Sequence, residues 1–241
     1  MTKTIDFYWD LGSTNSYFAL HLIKPIAKKH GATVVPHPFN LGYVFKKQNY
    51  VLMEEPKVKL RSRKIDLMRW AKKYDLPFQM PKKFPMKTSP ALRGALAMRR
   101  FGKEWEFMEK IFAAYWERDD ASVGELAGLK PIAAELGVDQ AEFEKLVESN
   151  EIRDALIAET DRGLERGAFG VPTFFVGEEM FWGKDRMEFI DDELTNPTPP
   201  AGFAAVLPRW PADGKDPQAI RLEPSPRACA CAVRLGRPVP A

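Results

Sequence analysis

Residues 4–39 read TIDFYWDLGSTNSYFALHLIKPIAKKHGATVVPHPF, and the order of their periods decides the fold. Thr4 to Asp10 is a run of β-branched and aromatic types, the composition of a largely buried strand. It passes through Gly12-Ser13-Thr14-Asn15 into Tyr17, Leu20, His21 and Ile26, which lie near helical spacing, so a helix runs to Gly31 with Pro25 as a point of kink or break. Ala32 to Phe39 is a second strand. Strand, helix and strand in that order predict a right-handed crossover and a parallel pair.

Working outward, Asn40 to Glu55 has no clean period and reads as a long loop with a short helical piece. Lys57 to Lys73 is helical and strongly basic. Ser89 caps another helix with Pro90 at its first position, and Gly102 marks its end. Trp105, Met108, Phe112, Tyr115 and Trp116 repeat at helical spacing and form a core stripe. Three helical segments follow, one opening with the capping-box pair Asp139 and Glu142, and Gly167 terminates the last. Thr173–Val176 and Met180–Trp182 flank a turn and predict a hairpin. A closing helix runs from Lys184 to about Leu194.

The order βαβ, helices, ββα predicts an α/β protein, a thioredoxin-like fold with a large inserted all-helical domain. Its first part covers residues 1–40, the helical insertion 41–167 and the second part 168–194. After Thr195 the period is lost, and ten of the chain's 20 prolines fall there. Proline removes backbone donors and this stretch has few clustered apolar residues to bury, so 195–241 reads as a disordered tail. Its Cys229 and Cys231 read as two incidental thiols, with metal binding or redox exchange as the alternative.

The bulk numbers exclude several function classes. At 241 residues and 45% hydrophobic content the chain can bury a substantial core. A net charge of +3, spread along the chain, is not the clustered footprint of nucleic-acid binding. No apolar run reaches the ~18 residues of a membrane span, and the opening residues lack a signal peptide's apolar stretch, so a cytoplasmic address without membrane contact is expected. Residues 1–228 contain no cysteine, which denies the body a disulfide and a Cys-x-x-Cys exchange motif. His21, His30 and His37 have no metal-ligand spacing, and no bound metal is expected.

Three places carry chemistry. Ser13, between the first strand and the first helix, is an N-cap position. The same position favours an anion, because unpaired amides and the positive end of the helix dipole converge there, and a thiol beside them ionises more easily. Gly170-Val171-Pro172-Thr173 enters the third strand; a cis bond before Pro172 would present the Val171 backbone to an extended peptide. Gly183-Lys184-Asp185-Arg186 opens the closing helix, where amides suit a carboxylate and Asp185 an ammonium. An amino-acid head group carries both charges.

Asp6-Phe7-Tyr8-Trp9-Asp10 with Ser13 and Tyr17, then Arg69-Trp70-Ala71 and Leu76-Pro77, Phe169 to Thr173, and Met180 to Arg186 form an ordered set of motifs. Together they resemble the 2-hydroxychromene-2-carboxylate isomerase and kappa-class glutathione transferase family, relatives of the DsbA-type oxidoreductases, over residues 4 to about 194. The resemblance implies a glutathione-dependent homodimer acting on a small aromatic acid. It implies that Ser13 hydrogen-bonds the glutathione sulfur and that Val171, before a cis Pro172, pairs with the cysteinyl backbone. Lys184 and Asp185 then meet the γ-glutamyl group, and Asn49 and Lys57 the glycine end. For Asn49 and Lys57 a solvated loop amide and a helix-surface lysine explain the sequence equally well.

In the family's isomerase the thiolate adds to a conjugated carbon of a ring-opened 2-oxo acid, the carbon–carbon bond rotates, and elimination returns glutathione. Two departures stand out: Thr14 where the family has proline after the serine, and Lys184 where it has a smaller polar residue. A kappa-like transferase conjugating hydrophobic electrophiles, and a non-catalytic thioredoxin-fold binding module, remain as alternatives.

Overall fold

The computed structural model describes residues 3–51 and 55–198. The described residues fall within one compact unit. The expectations for the proline-rich tail and for Cys229 and Cys231 lie outside the described residues.

The elements follow the expected order. β1 (Thr4–Trp9), α1 (Thr14–His30) and β2 (Thr33–Pro38) open the chain. A helical block follows: α2 (Leu41–Gln48), α3 (Lys57–Tyr74), α4 (Ser89–Arg99), α5 (Glu104–Arg118), α6 (Leu126–Glu135), α7 (Gln140–Glu148) and α8 (Asn150–Glu165). The hairpin β3 (Thr173–Val176) and β4 (Glu179–Trp182) and then α9 (Met187–Thr195) complete it. No helix among the described residues is long and apolar enough to cross a membrane.

Two local readings are corrected, and of the two open at Pro25 the break is excluded. Pro25 lies inside α1 without breaking it. An interior proline costs ~3 kcal/mol, and burial of Phe18, Leu22 and Ile23 on the preceding turns, at roughly 1.5–3 kcal/mol each, outweighs it. Ser89 is the first residue of α4 and not its cap. Thr88 holds the cap position without a side-chain cap bond. α9 starts at Met187, so Lys184 and Asp185 stand in the turn before it and not in its first turn. That turn is set by Gly183, at φ +113°, whose amide donates to the Pro172 carbonyl at 2.9 Å.

The sheet runs in the order β2-β1-β3-β4. β1 pairs parallel with β2 and antiparallel with β3, and β3 pairs antiparallel with β4. A central strand covered on both faces needs apolar residues at successive positions, which is why β1 shows no clean alternation. Ile5, Phe7 and Trp9 enter the main core with α1, α4 and α5. Tyr8 turns to a second cluster with Phe39, Val44, Ala168, Val171 and Phe175. The main core runs unbroken from the sheet into the helical block, where Trp9 meets Phe112 at 5.4 Å between ring centroids.

Polar ties reinforce the second face. His37 on β2 contacts Glu159 of α8 at 2.6 Å through Nδ1 and Asp6 of β1 at 3.1 Å through Nε2. The His37 contact, ahead of the Arg166 pair at 2.7 Å, holds the Asp6 carboxyl below the usual range.

α8 reaches the sheet at Gly163, where a Cβ would stand 2.8 Å from Tyr8 Cε1 and 3.0 Å from Phe39. Both rings belong to a buried cluster with no room to retreat. Gly163→Ala is therefore expected to lower stability by about 1–3 kcal/mol despite alanine's better helix propensity, measured as the shift in urea midpoint.

Candidate functional site

Ser13 has extended backbone angles (φ −91°, ψ 112°) and caps α1. Its Oγ accepts from the Ser16 amide at 3.2 Å and donates to the Val171 carbonyl at 3.2 Å. Ser16 and Tyr17 amides also reach the Ser13 carbonyl, whereas the amides of Thr14 and Asn15, the first two of the helix, find no partner among the described residues. Thr14 contributes directly here: a proline at that position would have no N–H to offer. The Val171–Pro172 bond is cis, and the Val171 amide likewise has no partner among the described residues. One half-buried hydroxyl, three open amides and the positive end of α1 thus converge, an arrangement that receives an anion with peptide character.

Two supports of this turn escape sequence reasoning. Asp10 is 1% exposed; its Oδ1 accepts from Gly12 N at 2.8 Å and its Oδ2 from Leu41 N at 2.9 Å. Its own carbonyl accepts from Ser13 N at 3.0 Å. Burial pushes the Asp10 carboxyl up, against the pull of the Gly12, Leu41 and Thr88 bonds. From the helical block, Trp116 Nε1 donates to the Leu11 carbonyl at 2.8 Å in a buried bond. The only hint of Asp10's role in the sequence is an acidic residue at the end of an apolar strand; that of Trp116 lies in a core stripe that gives no partner.

Lys184 follows the Gly183 amide that holds Pro172, and its side chain turns toward α3. It is 8% exposed, with Nζ 4.3 Å from the centroid of the Trp70 ring and 3.8 Å from Asp66 Oδ2. Burial lowers its affinity for the proton, partly offset by Asp66 and Asp185. Asp185 is exposed and pairs with Arg186 at 2.8 Å. Phe169 and Trp182, both about half exposed, lie 4.9 Å apart between ring centroids and flank the Gly170–Pro172 turn.

Sequence comparison gives this geometry its relatives. The profile of the DSBA-like thioredoxin domain matches residues 4–195. A 2-hydroxychromene-2-carboxylate isomerase from Pseudomonas sp. (strain C18) is 31% identical over 200 residues, 79% of this chain and 89% of the relative. The solved structure of a 2-hydroxychromene-2-carboxylate isomerase superposes with a TM-score of 0.70 at 29% identity, covering 80% of this chain and 94% of that one. This chain belongs to the 2-hydroxychromene-2-carboxylate isomerase family, within the DSBA-like thioredoxin domains. Glutathione S-transferase kappa 1 of Caenorhabditis elegans is also related, at 29% identity over 223 residues, 81% of this chain and 92% of that one.

The two remaining expected residues of this isomerase-family site stand apart from Ser13. Asn49 is the C-cap of α2, in the left-handed region at φ 53°, and exposed. Lys57 is the exposed first residue of α3. Neither makes a hydrogen bond or ion pair with Ser13, Val171, Lys184 or Asp185. The helix-cap geometry of Asn49 explains that residue without a ligand.

One turn along α1 from Ser13, the buried Tyr17 hydroxyl donates to Glu117 Oε1 at 3.1 Å, and His21 Nε2 stands 3.7 Å from the same oxygen. Burial, with Lys24 nearby, pulls the His21 pKa down to about 4, so the imidazole is neutral at pH 7. A histidine held neutral takes up a proton on unfolding. Its contribution to stability is complete above the unfolded value of about 6.5 and is lost as pH falls toward the folded value of about 4. His21→Gln should flatten the acid limb of stability in that window by on the order of 2 kcal/mol, measured by urea titration at pH 7 and pH 4.

Proposed function

We propose that this enzyme interconverts a 2-hydroxychromene-2-carboxylate-type acid and its ring-opened benzylidenepyruvate form, with glutathione supplying the nucleophile. The observation that carries the reading is the Ser13 hydroxyl at the mouth of α1, bonded to the Val171 carbonyl and bordered by the open amides of Thr14, Asn15 and Val171. A tripeptide thiol suits that set of donors. Its cysteinyl backbone pairs with Val171 as a short added strand, and its sulfur reaches Ser13. The hydroxyl exchanges its bond to the Val171 carbonyl for one to the thiolate, which frees the carbonyl to accept from the cysteinyl amide. The helix dipole and the amides favour the thiolate over the thiol.

The γ-glutamyl group then lies along the Lys184–Asp185 turn, where the Lys184 backbone and the Asp185 carboxylate meet its two charges. Asn49 and Lys57 are assigned to the glycine carboxylate by the family pattern alone. Thiolate addition to the conjugated carbon converts the double bond to a single bond and places the electron pair on the 2-oxo group as an enolate. Rotation and expulsion of the thiolate restore the double bond and return glutathione unchanged. A serine in place of a cysteine suits this cycle, because a hydroxyl holds a thiolate without forming a disulfide. The pairing of protomers into a homodimer and a cytoplasmic site of action belong to the same proposal. The alternative, conjugation of glutathione to electrophiles, draws on the kappa-class relative.

Ser13→Ala is expected to remain folded, losing about 0.5–2 kcal/mol with the cap, while turnover of the hydroxychromene acid falls far more than glutathione affinity. Stopped-flow absorbance with sub-stoichiometric glutathione and calorimetric titration check the two quantities separately. Unchanged turnover removes Ser13 from the mechanism, and glutathione consumed in equal amount to electrophile replaces isomerisation by conjugation. Asp185→Ala should weaken glutathione binding by roughly tenfold, the worth of one charge-assisted bond, in the same titration.

A further inference from the structure

Lys184 carries a charge whose donors the described structure leaves unspent. Its side chain is 10% exposed, yet its ammonium makes no hydrogen bond among the described residues. Asp66 stands at 3.8 Å, beyond hydrogen-bond reach, is itself half exposed, and already accepts from Trp70 Nε1 at 3.1 Å. The Trp70 ring face attracts the cation but accepts no proton. An ammonium has three N–H donors, and since Lys184 Nζ is not sealed from solvent, those donors are open to an acceptor that arrives from water. An acceptor from outside the chain can therefore engage the ammonium without breaking a hydrogen bond among the described residues.

We propose that the Lys184 ammonium, seated on Trp70 of α3, is the subsite for the carboxylate of the aromatic acid substrate, distinct from the contacts that hold glutathione. Its location fits this role. The turn that carries Lys184 is bonded to Pro172 through Gly183, and Val171 is bonded to Ser13, so this turn and the Ser13 turn are linked through adjacent residues. The glutathione contacts assigned above use the backbone of this turn and the exposed Asp185, whereas the Lys184 side chain leaves toward α3. Electrostatics requires a cation here: the reaction brings a thiolate and a carboxylate together, and two like charges at about 4 Å repel by roughly 1–4 kcal/mol between water and a protein surface. An ammonium beside the carboxylate offsets that repulsion and favours the acid over uncharged analogues. This inference rests on the isomerase reading for the identity of the acid; the carboxylate subsite itself does not need turnover to be tested.

The probe is chromone-2-carboxylate, a planar and unreactive acid, titrated calorimetrically without glutathione into the full chain, with chromone as its uncharged control. Lys184→Met keeps the buried stem and removes the charge; Lys184→Arg keeps the charge and can lie on Trp70. Expected are a roughly tenfold or greater loss of affinity for the acid in Lys184→Met, near-native affinity in Lys184→Arg, and unchanged chromone binding in both. Equal affinity of wild type and Lys184→Met for the acid overturns the subsite. So does a loss confined to glutathione, which reassigns the ammonium to the γ-glutamyl carboxylate. Charge-dependent binding of the probe by a wild-type enzyme that fails to isomerise hydroxychromene acids with glutathione would retain the subsite and remove the proposed reaction.

Discussion

The Ser13 hydroxyl is shared between two parts of the chain that are 158 residues apart: it accepts from the first turn of α1 and donates to the Val171 carbonyl at the entry to β3. The rest of the site depends on that pair of bonds. They fix the start of a helix, with its unpaired amides, against a strand-entry turn that has an open amide of its own. A hydroxyl can make both bonds at once because it is donor and acceptor together. It can also exchange one of them for an arriving anion without moving the backbone.

Such a junction needs rigid support, and the support comes from burial. Asp10 is a carboxyl group removed from water beneath the turn, and its desolvation is offset by the Gly12 and Leu41 amides. Through it, one side chain ties β1, the turn and the start of α2. Trp116 does the same from α5, where its indole N–H satisfies the Leu11 carbonyl inside the core. The helical block is thus part of the site's framework, since the main apolar core passes through both.

The block also contributes charge. α3 is rich in lysine and arginine, and its Trp70 receives the one cation that the β4–α9 turn sends inward. A family built on a redox-active scaffold holds here a chain with no cysteine in its first 228 residues. Those residues therefore hold no Cys-x-x-Cys for disulfide exchange. In the reaction proposed above the sulfur arrives with a ligand, and fixed charges around it govern which electrophile is admitted.

Much of this was legible in the amino-acid order, because periodicity, caps and breakers act over a few neighbouring residues. The strand from Thr4, the helix after Ser13, the basic helix from Lys57, the stripe from Trp105 to Trp116 and the hairpin after Pro172 all follow from local pattern, and with them the inserted thioredoxin-like architecture. Local pattern failed where a distant partner outbid it. Pro25 does not break a helix whose flanks are buried, Thr88 displaces Ser89 from the cap position of α4, and the closing helix waits until Met187 because Gly183 is bonded to Pro172. Sequence alone therefore determined the elements, their order and the placing of a serine at a helix mouth. Only the tertiary structure decided that Asp10 lies buried beneath it, that Val171 accepts its proton and that Lys184 faces Trp70, since each of these depends on contacts between residues far apart in the chain.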